Sequence, residues 1–313
     1  MVTILIWSLI FILSLFVLIK ASQYFTDSAS HIGRMLGIAP FIIGVTVVSV
    51  GTSLPELISS ILAVTSNASE IVVGNVVGSN VANIFLILGI GAIVAGKLHL
   101  DFELIHVDLP LLIGSALLLT MTLWDGQFTF WEALLFLGGL IIFTGYNISS
   151  AREHRKNNNG AAAEKFHLKP VIILIISSVF VFLGAKYTVE SVIRLADLLN
   201  TGKEVVAVTA VALGTSLPEM AVTIVAARSG KGELVVGNVL GSNIFNTFAV
   251  MGIPGVIAPL SAPPSIITIG MPVLIIASLM FFATTQDKQV SRWEGWLFIL
   301  FYVLFIGKIT GLF

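Results

Sequence analysis

Cysteine is absent from the 313 residues, and charge is scarce: Asp, Glu, Lys and Arg make up 11%, against about a quarter in an ordinary soluble domain. Without cysteine there are no disulfides, no thiolate metal ligands and no cysteine nucleophile. With a formal net charge of −1, there is no basic excess to grip a nucleic-acid backbone. What fills the chain instead is apolar: 57% of it is hydrophobic and the mean hydropathy is +1.03. This is the composition of an integral membrane protein. Basic residues are also missing ahead of the first apolar run, Val2 to Ile19. That run therefore reads as a retained transmembrane helix rather than a secretory signal.

A span needs about 20 mostly apolar residues. On that rule ten are expected, at 2–29, 38–66, 70–95, 105–123, 129–149, 168–198, 204–228, 233–258, 264–284 and 293–312. The runs are continuous rather than alternating, which argues against a β-barrel. One hydrophilic linker, 151–169, divides the spans five and five. The domain plan is a first five-helix repeat at 1–150, this linker, and a second repeat at 170–313.

Basic residues orient the chain. If the linker is cytoplasmic, eleven Lys and Arg fall on its side (Arg34, Lys97, Arg152, Arg155, Lys156, Lys165, Lys169, Arg228, Lys231, Lys288 and Arg292) and three on the other (Arg194, Lys203 and Lys308). Both termini then lie outside a plasma or bacterial inner membrane. Lys20 and Lys186 fall near span ends, where a lysine can snorkel.

The two halves repeat. With a shift of 163 residues, 44–83 and 207–246 are identical at 22 of 40 positions without a gap. Because each half has five spans, the second enters the membrane from the opposite side. The expected fold class is thus an all-α membrane protein, ten transmembrane helices in two inverted five-helix repeats. In such folds the ion or substrate site lies at the midplane between the repeats.

Each repeat holds the hexapeptide Gly-Thr-Ser-Leu-Pro-Glu, at Gly51 to Glu56 and Gly214 to Glu219. Pro55 lacks an N–H and crowds the carbonyl four residues back, so the helix is expected to open near Val50 to Thr52 and free carbonyl oxygens. Thr52 and Glu56 are four apart and share a face. Asn75, Ser79 and Asn83 form a polar stripe on the next span, and Asn238, Ser242 and Asn246 repeat it. Gly74, Gly78, Gly237 and Gly241 run beside the stripes, small enough to let another helix approach closely. Oxygen donors alone suit a hard cation such as Ca²⁺ or Na⁺.

Plainer readings exist for each part. A lone membrane proline is often just a kink, glycine pairs often just pack, and Ser or Thr often bonds its own backbone. The two mid-membrane glutamates resist that treatment, since a buried ionisable group in a span marks function. Glu70 and Glu233 sit at helix starts, where a carboxylate suits the dipole. All five histidines, His31, His99, His106, His154 and His167, fall in loops or at their edges. No histidine reaches either hexapeptide within the spans, so a hydrolase is not supported.

Charge balance then implies antiport. Two ionised glutamates in low dielectric are costly unless one Ca²⁺, two or more Na⁺, or protons neutralise them. A carrier that changes access only when neutralised must trade one load for another.

The hexapeptides, together with Gly74-Asn75, Gly78-Ser79-Asn80 and Asn83 and with Gly237-Asn238, Gly241-Ser242-Asn243 and Asn246, resemble the alpha-1 and alpha-2 repeats of the calcium/cation antiporter superfamily. The prokaryotic sodium/calcium exchanger type is the nearest in plan. The resemblance implies that Glu56 and Glu219 bind Ca²⁺. It implies that Thr52, Ser53, Thr215 and Ser216 supply oxygens, and that Ser79, Ser242 and the carbonyls of Ser49 and Ala212 help hold Na⁺. The last ligand pair falls on Asn83 and Asn246, where the potassium-dependent branch has Asp, so potassium co-transport is not expected. The first and sixth spans resemble a pair of long helices that slide across the core. The expected activity is export of Ca²⁺ driven by Na⁺ entry, with no enzymatic reaction and no cofactor, by a monomer in a lipid bilayer. An H⁺/Ca²⁺ antiporter and, from a different class, a cation channel are the alternatives.

Overall fold

Long apolar runs with no water to bond their backbone must satisfy every N–H and C=O internally, and helices follow. The computed structural model describes residues 2–100, 107–157, 167–198 and 216–312. Ten helical segments follow one another there: α1 (Val2–Leu36), α2 (Pro40–Thr65), α3 (Ser69–Ala95), α4 (Asp108–Thr122), α5 (Phe130–Asn157), α6 (Leu168–Leu198), α7 (Leu217–Arg228), α8 (Gly232–Ile257), α9 (Ile266–Thr285) and α10 (Arg292–Ile309). Seven of them are long and apolar enough to cross a membrane, and α4 is a shorter apolar helix.

Two helix ends differ from expectation. Helix α1 runs to Leu36 rather than 29, and α5 continues to Asn157, so the first seven residues of the hydrophilic linker are helix. The seventh expected span is described only from Ser216 onward. The fold is all-helical as expected, with two short ribbons between loops. Strand β1 (Lys97–His99) pairs antiparallel with β4 (Gln289–Ser291), and β2 (Gln127–Phe128) with β3 (Leu260–Ser261). Each ribbon ties a loop of the first half to a loop of the second.

Two helix starts are fixed by reciprocal caps. At α5 the Thr129 amide and hydroxyl donate to Glu132 Oε2 at 2.7 and 2.9 Å. At α10 the Ser291 amide and hydroxyl donate to Glu294 Oε2 at 2.6 and 2.7 Å.

Burial sorts the helices. The apolar window of α8 is wholly buried, and α3 is mostly so. Helices α1, α5 and α6 are largely peripheral. The close packing of α2 against α8 depends on missing side chains: a Cβ on Gly237 would fall on the Phe41 carbonyl, and one on Gly241 on the Val45 carbonyl. Helix α1 lies along α6, where a Cβ on Gly184 would sit 2.8 Å from the Leu18 amide nitrogen and Thr188 Oγ1 donates to Ser14 Oγ at 3.0 Å.

Four stretches widen from the α to the π turn, at Gly44–Val48, Ala82–Leu88, Asn246–Val250 and Ile266–Gly270. Wide turns of this kind gather at functional sites. Those in α3 and α8 begin at equivalent places of the repeat, beside Asn83 and at Asn246.

Candidate cation site

Ser49, Thr52, Ser53 and Glu56 recur every three or four residues, so α2 carries them on one face, and all four are buried. Ser216 and Glu219 come from the start of α7 and are buried too. Helices α3 and α8 bring Ser79, Asn80 and Asn83, and Asn238, Ser242, Asn243 and Asn246, again all buried.

Hydrogen bonds stitch these groups across the two halves. Ser53 Oγ donates to Glu219 Oε1 at 3.0 Å, and Ser216 Oγ to Ser79 Oγ at 3.3 Å. The Thr52 hydroxyl lies 3.3 Å from Asn238 Oδ1, with the Val48 and Ser49 carbonyls of its own helix at 3.1 and 3.3 Å. The Asn75 amide donates to Ser60 Oγ and the Asn238 amide to Thr223 Oγ1, each at 3.4 Å. Those two bonds are the same bond in the two repeats. Ser53 lies on the same face of α2 as Glu56, so its bond ties the Glu219 carboxylate to the α2 cluster.

The groups without partners matter most. Among the described residues, neither oxygen of Glu56 has a hydrogen-bond donor, nor has Glu219 Oε2. Ser242 Oγ and both side-chain polar atoms of Asn83 and Asn246 are likewise unpartnered. Buried carboxylates without donors cost several kcal/mol unless a counter-charge reaches them. Carboxylate, hydroxyl and amide oxygens from four helices are the donor set of a hard cation.

One expectation changes. Helix α2 is unbroken from Ser49 to Thr65 with Pro55 inside it, and its wide turns lie earlier, at Gly44–Val48. Proline removes a single bond, and the helix, packed against α1, α7 and α8, absorbs that loss. Pro218 instead occupies the first turn of α7, where its missing N–H is an orphan anyway. The Ser49 side chain turns back to the Val45 carbonyl, leaving its own carbonyl toward Thr52. Thr215 and Ala212 lie outside the described residues.

Sequence reasoning missed the bridge made by Asn80. Its amide donates to the Asn243 carbonyl at 3.2 Å and to Thr247 Oγ1 at 3.0 Å, fastening α3 to α8 beside Asn246. The signal was there, since Asn80 and Asn243 are identical in the two repeats, but they lie off the Asn-Ser-Asn stripe.

Comparisons with known proteins extend over nearly the whole chain. The family described as sodium/calcium exchanger protein matches residues 6–149 and 169–310. The sodium/calcium exchanger MaX1 of Methanosarcina acetivorans is 36% identical, over 95% of this chain and 97% of its own. The inner membrane protein YrbG of Escherichia coli K12 is 31% identical, with 96% of each chain covered. A solved structure of the sodium-calcium exchanger NCX_Mj superposes with a TM-score of 0.83 at 30% identity, covering 97% of this chain and 99% of that one.

Proposed function

The chain belongs to the sodium/calcium exchanger family and is a multi-pass membrane antiporter of Na⁺ and Ca²⁺; from that premise we propose that Glu56 and Glu219 together hold one Ca²⁺ or its Na⁺ replacement. The observation that carries this reading is the pair of buried carboxylates, from opposite halves of the chain, with three oxygens that no donor among the described residues meets. Thr52, Ser53, Ser216, Ser79, Ser242, Asn83 and Asn246 supply the neutral oxygens, with the Ser49 carbonyl. Thr215 and Ala212 complete the set by repeat symmetry.

Ten spans in two inverted repeats are part of the proposal. The ribbons support the topology, since each joins two loops that the basic-residue count assigns to one side. On that plan both termini are outside, and the working direction is Ca²⁺ export, by a monomer in an inner or plasma membrane. Inward Na⁺ movement supplies the drive, about 2.3 kcal/mol per charge for each 100 mV and about 1.4 kcal/mol for each tenfold gradient.

The test is calcium uptake into sodium-loaded proteoliposomes, for the wild type, Glu56→Gln and Glu219→Gln. Each substitution leaves a bound Ca²⁺ with half its counter-charge, and breaking a buried ion pair costs about 3–5 kcal/mol. Uptake should fall by at least about a hundredfold at a fixed calcium level. Near-native uptake by both variants would remove the paired-carboxylate site.

A further inference from the structure

Away from the ion site, α1 and α6 enclose a groove of roughly 380 Å³ on the outer face of the molecule, with Phe16, Val17 and Phe180 along one part of it and Lys20 and Tyr24 at one end. The groove has a direction. Asp27 on α1 is 73% exposed and pairs at 2.8 Å with Lys231 of the α7–α8 turn, so the level of Asp27 is the water-facing edge of the helix bundle. Tyr24 lies three residues from that edge and Lys20 seven, or about 10 Å of helix axis. Phe16 lies deeper. On α6, which runs antiparallel, Ile173 is level with the polar end and Phe180 with the apolar one. The wall thus changes from cationic and hydroxylic near the surface to apolar in the interior, the profile of a phospholipid seen from headgroup to tail.

Among the described residues Lys20 has no acidic partner. Its ammonium is exposed and donates to Gln23 Oε1 at 3.2 Å, a neutral partner. The nearest carboxylate along α1 in that direction, Asp27, is already bonded to Lys231. A lysine beside hydrocarbon extends toward the headgroup region, and an anionic surface attracts it there. Ser177 in the groove is satisfied by the carbonyls of Ile173 and Leu174, so the deeper wall presents nothing polar.

We infer that the α1–α6 groove binds one anionic phospholipid, an acyl chain against Val17, Phe16 and Phe180 and the phosphate on Lys20 with the Tyr24 hydroxyl beside it. The inference goes beyond the ion-exchange reading and concerns a different face of the molecule. Bound there, the lipid bridges the two long peripheral helices near their crossing at Leu18 and Gly184.

Native mass spectrometry of the purified full chain, supplied with equal phosphatidylglycerol and phosphatidylcholine, tests it. The wild type should retain phosphatidylglycerol about fivefold over phosphatidylcholine, the factor one lysine supplies at an anionic lipid surface. Lys20→Gln should retain the two equally, and Lys20→Arg should keep the preference. Val17→Trp fills the groove without touching the charge and should lower retention of both lipids. A wild type without preference, a Lys20→Gln protein that keeps it, or unchanged retention by Val17→Trp overturns the inference. Sodium-dependent calcium uptake in neutral vesicles is read separately, so loss of the lipid site and loss of the exchanger reading give different results.

Discussion

Replacing Asn246 by Asp adds a third formal negative charge to a site that has two. Asn246 is buried and both of its side-chain polar atoms lack a partner among the described residues, which is why the proposed site counts it as a ligand. A carboxylate there needs a proton or a further cation, because an unpaired buried charge costs several kcal/mol. Asn246→Asp should make exchange more steeply pH-dependent or add a requirement for another monovalent ion. Rate against pH, with Na⁺ and K⁺ varied independently, checks it; coincident profiles for variant and wild type would make Asn246 a packing residue. At this scale the sequence was informative where chemistry is unusual. A glutamate behind Thr-Ser-Leu-Pro in an apolar run has few readings, and both copies fall in the site. The partners were not legible. That Ser53 bonds Glu219 while Ser216 bonds Ser79 depends on how helices from the two halves cross, and a face on a helical wheel does not say which helix will meet it.

Helices α2 and α8 touch through backbone. Gly241 has the Val45 carbonyl and Ser49 Oγ where its Cβ would go, the latter at 2.6 Å. Gly241→Ala must push α8 away from α2 and disturb Ser242 beside it. The expected cost is about 1–3 kcal/mol, seen as a lower melting temperature in detergent together with weaker calcium binding. Gly145→Ala, on an exposed face of α5, should leave the melting temperature unchanged or slightly higher, since alanine favours helix. Equal melting temperatures for the two variants would contradict the close contact. The existence of the helices was readable from hydropathy, and the glycine spacing foretold the close approach at Gly237 and Gly241; among the described residues no atom beyond the local helix backbone comes within 4 Å of a Cβ placed on Gly74 or Gly78. The wide turns were not readable: Ala82–Leu88 and Asn246–Val250 lie in sequence that suits an ordinary helix. The ribbons escaped too, because strands of two or three residues gain their partners from loops more than a hundred residues away. The caps at Thr129 and Ser291 are legible as Thr-x-x-Glu and Ser-x-x-Glu.

For the molecule as a whole, sidedness follows from the distribution of basic residues. On the proposed orientation Glu153, exposed near the end of α5, belongs to the side that carries eleven Lys and Arg. With no native cysteine to interfere, Glu153→Cys should react with a membrane-impermeant maleimide only when the cytoplasmic face is open to it. Labelling from outside in intact cells would invert the orientation. The internal repeat is what makes the proposed plan legible: on that plan five spans per half force inversion and set the two hexapeptides against each other at mid-depth. How α1 and α6 lie against that centre could not be read, because their long apolar faces specify burial or lipid equally well.

The central claim is that two glutamates from opposite halves share one calcium ion. Equilibrium calcium binding to the purified protein, followed by calorimetry in sodium-free buffer and again with added Na⁺, tests it most directly. The account predicts one Ca²⁺ per chain, displaced by Na⁺, with binding lost in Glu56→Gln and in Glu219→Gln alike. Two ions per chain, each surviving one of the substitutions, would contradict it.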